Sequence, residues 1–342
     1  METNENTFGM VIRTSFFKLM AIAMLTALTC ACSNDDNQPL SDENKETDKG
    51  KDTTVAETVA VLDSVEFSCK RGDLNIYGLM FTKVAPGKKA PAVILSHSSS
   101  LTHAAMRDYA RQIADQGMVA YCFDFCGGSS ESKSDGSTED MTVFTEVEDL
   151  KAVLAKVSKL DVVDADSVYL LGSSQGGLVS ALVAEDCAAD VRGLILFYPA
   201  FNIPELIKKY GDLMNQWGNL GNWGNLGGWG DLGGSWGDLG GSWGSMSMSE
   251  TYINAIKDYD VWSHIGTYPK HVTIIHGSAD FIVPVSNSEK AVSLYPDAEL
   301  HVIEGANHGF NAANLGSMGS MMGAGADYDG QVLPLVFQAL HR

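Results

Sequence analysis

A short apolar run, Val168 to Leu171, meets a Gly/Ser turn and then a small-residue apolar stretch, Leu178 to Ala184. The first run is β-branched at its start and reads as a buried strand; the second suits a helix packed on a sheet. Between them lies Gly172-Ser173-Ser174-Gln175-Gly176, a G-x-S-x-G. A serine on so sharp a strand-to-helix turn is lifted clear of the sheet, and the glycines spare the turn a Cβ that would strike a neighbouring strand or helix. The helix N-terminus behind Ser174 offers free N–H groups and a positive dipole end. The pentapeptide by itself is common in turns; strand before and helix after make Ser174 a candidate nucleophile.

The rest of the 342-residue chain alternates strand and helix patterns. Residues 64–70 and 74–83 read as a hairpin around Arg71-Gly72-Asp73. Buried strands follow at 91–96 and 118–123, with a helix from about Thr102 to Gln116 between them. Asp124 to Asp140 is a polar loop. Phe144, Val147, Leu150, Leu154 and Val157 then share one helical face, with Glu146, Glu148 and Asp149 early and Lys156 and Lys159 late, as the macrodipole prefers. Another buried strand spans Val191 to Tyr198. Such alternation predicts an α/β fold, a mainly parallel eight-stranded sheet with helices on both faces.

After Pro199 the rhythm breaks, and the next clear strand begins at Val272, far beyond an ordinary crossover. The insertion, at about 200–262, carries a degenerate repeat around Trp217, Trp223, Trp229, Trp236 and Trp243. Twelve of residues 217–244 are glycine, and each costs a helix about 0.8–1 kcal/mol, so the near-heptad spacing is no helix. The stretch reads either as a loosely ordered expansion or as an aromatic flap, with Trp217 and Trp223 as candidate substrate contacts. Leu300 to Ile303 is the last strand, and Leu333 to Leu340 closes the chain as a helix.

The N-terminal segment differs in kind. Arg13 and Lys18 precede an apolar core, Leu19 to Leu28, too short to span a bilayer as a mature helix. It ends at Cys30-Ala31-Cys32 before an abruptly polar stretch, a pattern that resembles a bacterial lipoprotein signal over 1–31 with lipid on Cys32. The alternative is an ordinary secretory signal cut nearby. Residues 33–58 hold eight acidic and three basic residues and almost no large apolar side chain; 32–58 is therefore an acidic tether. The folded domain is expected over 59–342, at the cell envelope, in the outer membrane or periplasm, reaching the membrane through the lipid alone. A net charge of −20 argues against nucleic acid and anionic membrane surfaces as partners. A monomer or homodimer is the expected assembly. Cys69, Cys122, Cys126 and Cys187 are too few and scattered for a disulfide scaffold and read as buried small apolar residues; no metal site is expected.

A serine hydroxyl needs a base, and an imidazole needs an acid to orient it. In a doubly covered parallel sheet with this turn, the partners arrive in the order Ser, Asp, His, past the ends of later strands. His276-Gly277-Ser278-Ala279-Asp280 follows the strand 272–275, and Glu304-Gly305-Ala306-Asn307-His308 follows the strand ending at Ile303. Asp280 and His308 are thus the candidate acid and base, with Asp260 and Glu304 as fallback acids. His276 and His97 read as structural, His97 as fixing its loop; Asp124 reads as capping loop N–H groups, and Ser173 should point inward.

These three motifs resemble the α/β-hydrolase superfamily. Phe123-Asp124-Phe125-Cys126-Gly127-Gly128-Ser129 and the stretch Met141 to Asp149 resemble its cinnamoyl (feruloyl) esterase branch. The likeness covers roughly 64–200 and 250–310; the Trp/Gly insertion has no counterpart in it. It implies hydrolysis of a small-molecule carboxylic ester through an acyl-enzyme, without a cofactor, with feruloyl or acetyl esters of plant or dietary material as the substrate class. It also implies an oxyanion hole formed by the Gln175 N–H and a donor after the strand 91–95, assigned by position to Ser99. Relatives show His-Gly there, whereas this chain has His97-Ser98, whose added Cβ is expected to narrow the hole. A same-fold peptidase and a non-catalytic carbohydrate- or partner-binding lipoprotein are the alternatives.

Overall fold

The computed structural model describes residues 64–209, 248–311 and 327–342. All lie within the compact unit Ala60–Arg342. The elements are β1 (Val65–Glu66), β2 (Cys69–Arg71), β3 (Leu74–Ile76), β4 (Gly78–Thr82), β5 (Ala90–Ser96), α1 (Arg107–Asp115), β6 (Val119–Phe123), α2 (Val143–Val157), β7 (Val163–Ser173), α3 (Gln175–Asp186), β8 (Gly193–Phe197), α4 (Glu250–Ile256), β9 (Val272–Gly277), α5 (Ser286–Val292), β10 (Ala298–Ile303) and α6 (Asp329–Leu340).

Eight strands form one sheet in the order β1-β4-β6-β5-β7-β8-β9-β10. β1, β4 and β6 pair antiparallel, and every pairing from β6 through β5 to β10 is parallel. Parallel strands need crossovers, and those crossovers put helices on both faces. Alternate β5 residues accordingly enter two cores. Ala92 and Ile94 pack on the face that also buries α2 and α3, whereas Val93 and Leu95 pack with Tyr109 and Ile113 of α1 and Val332 and Val336 of α6. This is the expected α/β arrangement.

Two local expectations need correction. The 64–83 hairpin is divided: β2 and β3 pair around the turn at Gly72 as a separate two-stranded sheet, while β1 and β4 pair in the main sheet. Tyr77, between β3 and β4, donates its N–H to Ser134 Oγ (2.9 Å) and accepts at its carbonyl from Asp124 N (2.9 Å), so the loop after β6 holds the break. The helix expected from Thr102 starts as a 3-10 turn over His103–Met106 before α1. Glu146 sits in the first turn of α2 and Lys156 in the last, as the dipole favours, and both Glu146 and Asp149 are buried. Asp149 pairs with Arg71 Nε (2.5 Å) and accepts from Cys126 N (2.9 Å). Of the four cysteines, Cys69, Cys122 and Cys126 are buried, and Cys187 is half-buried; all are free.

Candidate active site

β7 and α3 meet at Ser174, whose φ is +51°. A left-handed backbone at a non-glycine residue is strained and persists only where its surroundings over-determine it. Here they do. Ser174 N donates to Phe197 O (2.9 Å), and Ser174 O accepts from Gly177 N (3.0 Å) and Ala200 N (3.0 Å). A Cβ on Gly172 would overlap Gly176 O, and one on Gly176 would overlap the carbonyls of Ser96 and His97. The two glycines therefore let α3 sit against both β7 and the loop after β5. Ser100 (φ +60°) and Tyr198 (φ +36°) are the other non-glycine residues with positive φ among the described residues, and both flank this turn.

Asp280 and His308 converge on Ser174 from the loops after β9 and β10. His308 Nε2 lies 3.0 Å from Ser174 Oγ, and His308 Nδ1 lies 2.8 Å from Asp280 Oδ2. Facing a carboxylate, Nδ1 carries the proton, which leaves Nε2 to accept from the serine hydroxyl. All three side chains are buried. Asp260 and Glu304 are exposed and play no part in this relay; Asp260 instead accepts from the Ser263 hydroxyl.

Burial pushes the Asp280 carboxyl up, but hydrogen bonds from His276 and His308, the His308 charge and the Val283 N–H outweigh it and hold the group at about 2. Ile282 N and Val283 N each donate to Oδ1 at 2.9 Å. His276 supplies a bond that the sequence did not reveal. Its Nε2 donates to Asp280 Oδ2 (3.1 Å) and Val283 O (2.8 Å), and its Nδ1 accepts from Ser288 Oγ (2.6 Å). Structural it is, as expected, but the structure it holds is the acid's. The Tyr198 ring lies 4.6 Å from that of His308, tilted by 58°.

The other side of Ser174 faces the loop after β5. His97 donates through Nδ1 to Ser98 O (2.8 Å) and accepts at Nε2 from Phe125 N (3.3 Å), fixing the loop as expected. Burial lowers its pKa, which suits this neutral tautomer. Asp124 accepts from His103 N (2.6 Å) and Lys133 N (2.9 Å), also as expected, and pairs in addition with His103 Nδ1 (2.7 Å). Among the described residues, neither the Gln175 N–H nor the Ser99 N–H has a backbone acceptor. The Ser98 hydroxyl is tied to Ser173 Oγ (2.9 Å), the inward-facing residue beneath the nucleophile. Ser99 and Ser100 border a cavity of about 150 Å³ that Met141, Met248 and Tyr252 also line.

Two further residues were not linked to the site by the sequence, Glu146 and Tyr252. Gln175 Nε2 donates to Glu146 Oε2 (2.7 Å), and Tyr252 Oη donates to Gln175 Oε1 (2.7 Å). Glu146 had a legible signal: it falls between Val143 and Leu150 on the apolar stripe of α2, where a carboxylate must find a partner. Tyr252 had none. No group of three or more His, Cys, Asp or Glu side chains is arranged to hold a metal ion among the described residues. Cys32, Trp217 and Trp223 lie outside the described residues.

The family described as serine aminopeptidase, S33 matches residues 87–223. The proline iminopeptidase of Thermoplasma volcanium is 27% identical over 173 residues, covering 45% of this chain and 54% of that protein; the match thus spans about half the relative's length. Among solved structures, Est1E from Butyrivibrio proteoclasticus with ferulic acid bound is similar at a TM-score of 0.56 and 22% identity, covering 71% of this chain and 90% of that one. The esterase EaEST from Exiguobacterium antarcticum is similar at 0.54 and 15%, covering 79% and 99%. The chain has the α/β-hydrolase fold.

Proposed function

We propose that this α/β-hydrolase-fold chain is a serine hydrolase that cleaves carboxylic esters through an acyl-enzyme. The observation that carries the reading is the relay from Ser174 Oγ through His308 to Asp280, with bonds of 3.0 and 2.8 Å. His308 Nε2 takes the hydroxyl proton as Ser174 Oγ attacks the ester carbonyl. The imidazolium so formed is stabilised by Asp280, which stays ionised. The carbonyl oxygen becomes an oxyanion beside the Gln175 and Ser99 N–H groups, where one such donor is worth about 2.7–4 kcal/mol. Collapse expels the alcohol, protonated by His308. Water then enters by the same route, and Ser174 and the free acid are restored.

The likeness to Est1E with ferulic acid bound and to EaEST supports an ester substrate, and feruloyl or acetyl esters as the first to try. The likeness to a proline iminopeptidase supports a second reading, an aminopeptidase using the same residues on an amide. Labelling the full chain with a fluorophosphonate, mapping the label and running ester and aminoacyl-amide panels decides between them. Label on Ser174 with ester turnover is the expected result. S174A should lose label and at least about 10⁵-fold in kcat, on the scale that removing a catalytic serine costs. A folded, unlabelled wild type would overturn the hydrolase reading in favour of a binding protein.

Residues 1–31 are proposed as a lipoprotein-type signal, with Cys32 as the lipidated residue and the cell envelope as the location. Metabolic labelling with palmitate tests this: label that C32A abolishes supports the anchor, and unlabelled wild type removes it.

A further inference from the structure

We propose that Glu146 and Tyr252 are positioning residues for the oxyanion donor: they grip the Gln175 carboxamide at its two ends and so aim the Gln175 backbone N–H. The inference rests on the reading of Ser174 as nucleophile and adds to it a part that lies away from the triad.

Three elements meet at this amide. Glu146 comes from α2, Gln175 opens α3, and Tyr252 comes from α4, the first described helix after the Trp/Gly repeat. The amide nitrogen gives a proton to Glu146 Oε2 at 2.7 Å, and the amide oxygen receives one from Tyr252 Oη at 2.7 Å. Glu146, Gln175 and Tyr252 are all buried, with 1%, 2% and 2% of their surfaces exposed. Bulk water is therefore a poor substitute for either partner. Holding a side chain at both ends fixes its Cα–Cβ direction, and with it the peptide plane that joins Gln175 to Ser174. That peptide carries the proposed donor N–H. It also follows a residue at φ +51°, a conformation that relaxes unless it is held.

A purely structural role accounts less well for this arrangement. A buried carboxylate is costly, and burial, together with the neighbouring Asp149 charge, pushes Glu146 up to about 8 against the pull of its bond to Gln175. An apolar residue would fill the space between Val143 and Leu150 at lower cost. The titratable groups around Glu146 are Asp149, one turn on along α2 and paired with Arg71 from β2, and the phenol of Tyr252 beyond the amide. Among the described residues none of them donates to Glu146, and Gln175 alone does.

The test uses the full chain with p-nitrophenyl acetate and a fluorophosphonate. E146L leaves the Gln175 amide unanchored. Its kcat should fall about 10–100-fold, part of the 10²–10³-fold that a lost oxyanion donor costs, with KM within about threefold. E146Q still presents an acceptor and should lose less than about fivefold. Across pH 7–9 the wild type should gain about twofold in kcat relative to E146Q, because an ionised acceptor holds the amide more tightly. Y252F should lose about 3–10-fold. E146L combined with Q175A should be no worse than E146L alone, since both remove one clamp. Wild-type kcat and labelling rate in E146L overturn the proposal, as does a loss in E146L that E146Q does not recover. Should E146L not fold, Y252F decides, and unchanged kcat there overturns it. An unlabelled wild type would instead sink the nucleophile reading itself.

Discussion

Two buried carboxyl groups act near Ser174, one through His308 and one through Gln175, and they are held in opposite states. Asp280, past β9, collects four donors: the His308 and His276 rings and the N–H groups of Ile282 and Val283. Glu146, on α2, has a single donor among the described residues, the Gln175 amide. Both pay desolvation. Four hydrogen bonds outweigh it and leave Asp280 at about 2; one does not, and Glu146 sits at about 8. Donors and neighbouring charge, set against burial, together decide which carboxyl is charged: the His308 charge helps Asp280 ionise, whereas the Asp149 charge and deeper burial oppose ionisation of Glu146. A group meant to stabilise an imidazolium must be charged, and Asp280 is. A group that only has to accept from an amide can do so in either state, so Glu146 tolerates its poorer surroundings.

The largest way to break this contrast is D280N. The amide leaves the site's shape intact but removes the charge that selects the His308 tautomer, and kcat should fall about 10⁴-fold with the thermal midpoint little changed. A loss under tenfold in steady-state kinetics would show that Asp280 is not the orienting acid.

The two groups also pull stability in opposite directions with pH. Glu146 has a folded-state pKa raised from 4.5 to about 8. Between these values the native state holds a proton that the unfolded chain releases, so this contribution to stability falls as pH rises. Asp280 is lowered from 3.8 to about 2; its contribution is present above 3.8 and lost as pH falls through 2. Urea unfolding of wild type and E146Q from pH 5 to 8 should therefore diverge, with E146Q flatter by up to about 1.4 kcal/mol per pH unit. Parallel curves would mean that Glu146 is not held neutral.

The smallest effect is expected at Ser98. Its hydroxyl is tied to Ser173 (2.9 Å), so S98A should cost about 1 kcal/mol of stability, with Ser173 Oγ keeping only its weak bond to Met106 Sδ (3.6 Å). Its effect on kcat should be within about threefold, since the proposed donors are the Gln175 and Ser99 N–H groups rather than this hydroxyl. A loss above tenfold would give Ser98 a direct part in the hole.

Much of this was legible because it is local. A strand, a G-x-S-x-G and a helix sit within twenty residues, and the backbone needs of that turn are met by Gly172 and Gly176 themselves. Asp280 and His308 follow recognisable strands, so their arrival at one sheet edge follows from the parallel topology. The hairpin at 64–83 misled because its alternation is genuine in both halves; contacts from the loop after β6, sixty residues on, divide it at Tyr77. His276 could be read as buried but not as a donor to Asp280, since that bond depends on how the loop over 278–283 folds back.

The sequence by itself determined the α/β class, the order of strands and helices, and the three residues of the relay, because periodicity and turn chemistry are properties of neighbours along the chain. Tertiary structure alone decided the charge of each buried carboxyl, the Ser98–Ser173 pair and the meeting of Glu146, Gln175 and Tyr252. Each of these depends on which donors and charges distant segments bring to one place, and that is written in no single stretch of the chain.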